Sequence, residues 1–135
     1  MIQIKIKQDI KVFCIQAKSY PDGVMEAFKN LHTLLEFPPQ RRNFGISKPE
    51  NGKIIYRVAA EELVEGDLQK HHLTEFIIPS GNYIGIKIID FRKDLNQLKI
   101  AFDQLLTNPN LDPNSYCIEE YFGIDDVVCM VRLIE

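Results

Sequence analysis

The residues able to do chemistry in this chain gather near its end, in SYCIEEYFGIDDVVCMVRL, residues 115–133. Two adjacent carboxylates, Glu119 and Glu120, follow Cys117 and precede Tyr121. Strand alternation sends Cys117, Glu119 and Tyr121 to one face, and Ile118, Glu120 and Phe122 to the other. A carboxylate carried into apolar surroundings ionises at a cost unless a cation or hydrogen bond compensates it. A covered face would therefore make Glu119 the polar floor of a ligand pocket. Two adjacent glutamates are not expected inside together, so one of the pair is expected in water. The competing expectation is an edge strand with a wetted face.

Other chemistries find less support. No histidine stands at i+3 or i+4 from another histidine or a cysteine, so no metal site is expected. His71-His72 are expected to point apart on a strand start, and nothing places His32 beside a cysteine as its base. Ser80 belongs to a turn. Dinucleotide, P-loop and nucleophile-elbow motifs are absent, so no cofactor is expected. What remains is an aromatic set, Phe13, Tyr20, Phe44, Tyr56, Tyr83, Tyr116 and Tyr121, with Arg57 and Arg132 as surface residues or partners for Glu119.

The elements that must position these groups can be read from periodicity. Ile2, Ile4 and Ile6 alternate with polar residues, and Ile10, Val12 and Phe13-Cys14-Ile15 follow, giving one strand bent at Gln8-Asp9 or two short ones. Tyr20-Pro21-Asp22-Gly23 is a turn, with Asp22 or Ser19 available as a helix cap. Val24, Phe28, Leu31, Leu34 and Leu35 recur at helical spacing, predicting a helix over residues 22–36 that Pro38-Pro39 stops. Two strands then flank Asn51-Gly52, a hairpin turn, and an acidic loop follows at residues 61–67. Residues 71–78 and 82–89 read as strands, and Leu95, Leu98, Phe102, Leu105 and Leu106 as a helix over 92–107. The hairpin of residues 115–133 completes the chain.

The second half thus repeats the first. An offset of 70 lays Phe13 on Tyr83, 71 lays Leu31 on Phe102 and Leu34-Leu35 on Leu105-Leu106, and 75 lays Tyr56-Arg57-Val58 on Val131-Arg132-Leu133. A strand-helix-strand-strand unit used twice predicts a single domain over residues 1–135, with repeats at about 10–60 and 73–134. Helices are expected on one side of the sheets, leaving the seam between the halves for a ligand.

Composition sets outer limits. The chain has 135 residues, 45% hydrophobic and 26% charged, which suits one globular domain with its own core. A net charge of −3 offers no footprint for nucleic acid or an anionic membrane. No apolar run approaches the ~20 residues of a membrane-spanning helix. Arg41-Arg42, a lone basic pair, is too small to count. The odd number of cysteines, Cys14, Cys117 and Cys129, inside apolar strands predicts reduced thiols in a cytoplasmic protein.

The segments Phe44-Gly45-Ile46, Ile55-Tyr56-Arg57-Val58-Ala59, Ile78-Pro79-Ser80-Gly81-Asn82-Tyr83 and Glu119-Glu120-Tyr121, taken with the duplication, resemble GyrI-like, or AraC/BmrR-type, effector-binding domains over nearly the whole chain. Two departures bear on pocket shape: Ala59-Ala60 stand where many members carry glycine, and Asp90-Phe91 replaces a small-residue turn. The resemblance implies an α+β fold of two pseudo-symmetric strand-helix-strand-strand repeats with antiparallel sheet and two main helices. It implies a small-molecule-binding module of the kind used in transcription regulation and multidrug binding, in which a buried glutamate among aromatics receives hydrophobic cations. Carried over, that glutamate is Glu119, with Tyr121 on its face and Tyr56 as the aromatic of the first repeat. Tyr20, Phe44 and Arg57 complete the expected ligand-binding set. A stand-alone sensor or sequestering protein follows, with a DNA-binding regulator or a topoisomerase as the possible protein partner, and no direct nucleic-acid or membrane contact. Two alternatives stand beside it. One is a hydrolase of reactive electrophiles using Glu119 with Tyr56 or Tyr121. The other is a gyrase-inhibitor-type protein-binding role, with residues 61–67 mimicking DNA charge.

Overall fold

The computed structural model describes residues 1–68 and 71–134. Its strands are β1 (Ile2–Ile6), β2 (Ile10–Gln16), β3 (Asn43–Glu50), β4 (Lys53–Glu61), β5 (Thr74–Ile78), β6 (Gly81–Ile88), β7 (Cys117–Phe122) and β8 (Asp126–Arg132). Two α-helices, α1 (Val24–Leu34) and α2 (Asn96–Leu105), complete an α+β architecture. The chain divides into two compact units, one of Ile10–Ile78 and the other of Met1–Asp9 with Pro79–Glu135.

In the unit Ile10–Ile78 the strands pair antiparallel in the order β3-β4-β2-β5. Phe13, Ile15 and Ala17 of the β2 segment and Tyr56, Val58 and Ala60 of β4 face α1, which buries Ala27 and Leu31 against them. Leu31 is fully buried, a contribution of about 1.5–3 kcal/mol. The helix is shorter than predicted because its N-cap is Gly23, with no side-chain cap from Asp22 or Ser19. The turn explains why: Gly23 N–H donates to Ser19 O at 3.1 Å, and a Cβ on residue 23 would lie 2.8 Å from Ser19 backbone atoms.

In the other unit the order is β1-β6-β8-β7, again antiparallel. Ile84, Ile86 and Ile88 of β6 and Val127, Cys129 and Val131 of β8 pack with Ala101 and Leu105 of α2. Strand, helix, strand, strand therefore recur with the same pairing in both units. The leading strand is exchanged: β1 precedes β2 in the chain yet pairs with β6, and β5 precedes β6 yet pairs with β2. The break at Gln8-Asp9 makes two strands, and the predicted strand of residues 71–78 begins only at Thr74, with positive φ at His72.

Burial corrects the repeat offsets. Ala27 and Leu31 are the buried pair of α1, and Ala101 and Leu105 that of α2. The helices therefore match at 74, aligning AFKNL with AFDQL; an offset of 71 would lay exposed Leu34 on buried Leu105. Phe13 faces α1 whereas Tyr83 points away from α2, so β2 and β6 match at 71 with Phe13 on Ile84.

The segment Pro79-Ser80-Gly81 is a clamped corner. Arg132 donates from Nε to Ser80 O and from Nη1 to Asp112 Oδ2, each at 2.9 Å, and Ser80 N–H donates to Asp9 Oδ1 at 2.7 Å. Gly81 has φ of 137°, and a Cβ there would meet Arg132 Nη2 at 2.7 Å, so the position needs glycine. Arg132, weighed from sequence as a partner for Glu119, is bound to Asp112 instead.

Candidate functional site

The β7–β8 hairpin forms as predicted, with Glu119 opposite Cys129 and Tyr121 opposite Val127. Cys117 and Tyr121 pack with the residues around α2, so Glu119, between them, shares that helix-covered face. It is 6% exposed, and Glu120, on the other face, is 8% exposed. The expectation that one glutamate must lie in water is corrected. At the level of the two glutamates both faces of β7 are removed from solvent, as fully buried Ile118 and Met130 beside Glu120 also show.

Tyr121 O–H donates a hydrogen bond to Glu119 Oε1. This supplies the compensation that a buried carboxylate demands. Phe91 packs against Tyr121, its ring centroid 5.5 Å from that of Tyr121. The Asp90-Phe91 departure noted in the sequence is what puts it there. Asp90 takes φ of 56° and opens a single 3-10 turn, Phe91–Lys93. Three bonds tie this turn to the hairpin loop: Phe91 N–H to Asp125 O at 2.9 Å, Asp90 N–H to Asp126 Oδ1 at 3.2 Å, and Arg92 Nε to Ile124 O at 2.6 Å.

Two thiols share this environment. Burial, reinforced by the nearby Glu119 charge, pushes Cys117 up to about 11 and Cys129 further still. Such thiols stay protonated near neutrality and make poor nucleophiles. All three cysteines are free, as the sequence predicts. Cys117 and Tyr121 are half-buried, so the carboxylate lies one side chain below the surface. Cys117 was legible by alternation. Phe91 and Cys129 were missed, because only the fold brings them beside β7.

The unit Ile10–Ile78 holds the other candidates. Tyr56 is 2% exposed, stacked on Tyr20 with centroids 5.6 Å apart and meeting Phe28 edge-on at 6.4 Å. Tyr20, 46% exposed, carries this aromatic column to the surface. Phe44 and Arg57 do not join it. Phe44 pairs with Ala59 and Ile46 with Arg57, placing both on the face opposite Tyr56. Phe44 is fully buried with the Arg42 guanidinium 5.3 Å from its ring centroid.

Several sequence features prove structural. Asp67 pairs with Arg41 at 3.0 Å, making half-buried Arg41 more than a loose basic residue. In the acidic loop, Glu62 pairs with Lys11 at 3.6 Å and accepts from Gly66 N–H at 3.0 Å. His32 stacks on Phe37 at 4.1 Å, and burial lowers its pKa. Burial pushes Cys14 up to about 12, with the Arg57 charge acting in the opposite sense. Among the described residues no group of three or more His, Cys, Asp or Glu could hold a metal ion, and no helix is long and apolar enough to cross a membrane.

No family model and no curated protein sequence matches the chain. Solved structures do resemble it. An integron cassette protein from the mobile metagenome of Vibrio cholerae is similar at a TM-score of 0.66 and 11% identity, over 98% of this chain and 94% of that one. A hydrolase from Listeria innocua is similar at a TM-score of 0.54 and 9% identity, over 98% and 90%. At these identities the likeness is one of fold.

Proposed function

We propose that this chain is a small-molecule-binding module of the GyrI-like effector-binding kind, with Glu119 as the charge that selects a hydrophobic cation. The observation that carries the reading is the buried Glu119 carboxylate, held by Tyr121, whose ring packs on Phe91. A carboxylate among aromatic faces attracts a flat or quaternary cation by charge and by cation–π contact, about 0.5–2 kcal/mol per ring. The recurrence of strand, helix, strand, strand with identical pairing supports the family reading. The exposed end of the Tyr20–Tyr56 stack is a second aromatic surface of the type such modules present. The test is titration of the parent, Glu119→Gln and Glu120→Gln with lipophilic cations and neutral isosteres. Glu119→Gln is expected to weaken the cation tenfold or more and the isostere little, while Glu120→Gln, on the opposite face, leaves both unchanged. Equal losses in the two variants, or no cation binding by the parent, refute the assignment.

The hydrolase named among the similar structures favours a second reading, in which Glu119 and Tyr121 act as general acid and base on a reactive electrophile. It makes a separate demand: Glu119→Gln retains binding but loses turnover of an electrophile such as an epoxide.

A further inference from the structure

One side of β6 is left open toward its end. β1 pairs with β6 from Gly81 to Gly85 and stops there, whereas β8 continues on the other side to Ile88. Leu133 N–H donates to Asn82 O at 2.8 Å, which fixes the phase of the ladder. Residues of even number on β6 therefore bond to β8, and those of odd number turn N–H and C=O toward β1. Lys87 is the next such position after Gly85. Its backbone donor and acceptor point to a side where no strand stands among the described residues.

Beside that open edge lies a groove of about 370 Å³ between β6 and α2. Half-buried Ile86 and buried Ile88 and Ala101 line it, together with Ile89 and Ile100, which are 65% and 55% exposed. Ile86 and Ile88 face α2, so alternation sends the Lys87 side chain to the opposite face. There it is exposed and pairs with no carboxylate among the described residues.

The open backbone calls for an extended chain, since another strand offers N–H and C=O groups at the matching spacing. The groove calls for an apolar side chain opposite Ile88. The Lys87 ammonium calls for a carboxylate at the neighbouring position, because side chains directly across a strand pair stand roughly 5 Å apart and opposite charges there attract. We propose that residues 86–89 dock an extended peptide of a partner protein, added antiparallel to β6 in line with β1. An acidic residue of that peptide lies opposite Lys87, and an apolar residue opposite Ile88 fills the groove. This site draws on no residue of the Glu119 cluster, so it stands or falls separately from the cation reading.

The experiment uses the whole chain, isotope-labelled, with two capped peptides as probes, Thr-Thr-Val-Glu-Gly and Thr-Thr-Val-Lys-Gly. Amide exchange and resonance shifts are read together. In the free protein the Lys87 amide should exchange freely while those of Ile86 and Ile88, bonded to β8, are protected. Saturating glutamate peptide should slow Lys87 exchange tenfold or more and shift resonances along β6 and α2. The lysine peptide should bind at least fivefold more weakly, and Lys87→Glu should reverse that order. Ile100→Asp, at an exposed position the fold tolerates, should weaken both peptides at least fivefold, and Glu119→Gln should bind them as the parent does. Equal binding of the two peptides, no binding of either, or the largest shifts outside β6 and α2 would each overturn the proposal. So would a Lys87 amide already protected in the free protein, including one whose protection is lost on dilution, which would put a second copy of the chain on this edge instead.

Discussion

Tyr121→Phe removes one hydroxyl, and the structure allows its consequence to be worked out. The lost bond runs to a carboxylate that is 6% exposed, and a hydrogen bond to a charged group contributes about 1.5–3 kcal/mol. Tyr121 itself is half-buried, so water partly replaces the hydroxyl, which places the cost near the lower end, about 1.5–2 kcal/mol. For a domain of this size that corresponds to a fall in Tm of about 5–7 °C. In a Glu119→Gln background the same change removes only a neutral hydrogen bond, about 0.5–1 kcal/mol. A double-mutant cycle should thus return a coupling of about 1 kcal/mol between positions 119 and 121. Urea unfolding of the parent, the two single variants and the double variant, followed by circular dichroism, gives all four corners. A coupling of zero, or a Tyr121→Phe protein as stable as the parent, would refute the claim that this hydroxyl compensates the buried carboxylate.

Leu31→Ala and Leu105→Ala each empty a fully buried site at matching points of the two helices, and each should cost about 2–5 kcal/mol. Leu34→Ala, at a position 47% exposed, should cost under about 1 kcal/mol by denaturant titration, which tests the offset of 74 against that of 71. Thiol titration should count three free cysteines in the unfolded chain, while in the native protein at pH 8 half-buried Cys117 reacts first and buried Cys14 and Cys129 scarcely at all. Burial, partly offset by Arg132, pushes Tyr83 up to about 12 from an ordinary 10. The folded state therefore holds a proton that the unfolded state releases, so this contribution to stability is complete below pH 10 and lost as the pH rises toward 12. Tyr83→Phe should flatten that part of the pH–stability curve, which thermal melts between pH 9 and 12 would show.

Local pattern carried much of this fold. Alternation from Ile2 to Ile15 and in the 115–133 hairpin is enough to specify strands, because a half-buried pleat repeats every two residues. The spacing of Val24, Phe28 and Leu31, and of Leu98, Phe102 and Leu105, is enough to specify two helices. Asn51-Gly52 marks its turn, and alternation alone assigns Cys117, Glu119 and Tyr121 to one face. These are properties of the backbone period, which distant contacts do not alter.

Other features depended on contacts that no local pattern encodes. Alternation puts Glu119 and Glu120 on opposite faces but does not say whether either face is covered; tertiary burial covers both. Helix spacing allows matches one turn apart, and only packing against the sheet selects Ala27 with Ala101 and Leu31 with Leu105. The pairing of β1 with β6 and of β5 with β2 joins segments about 80 and 60 residues apart. Phe91 reaches Tyr121 because a left-handed Asp90 and three bonds to the hairpin loop turn the chain there. The sequence by itself determined where the strands and helices lie, apart from their ends, and which side chains share a face, since both follow from the geometry of a few consecutive peptides. The tertiary structure alone decided which faces lose water and which groups then need a partner, because burial and hydrogen bonding depend on segments far apart in the chain.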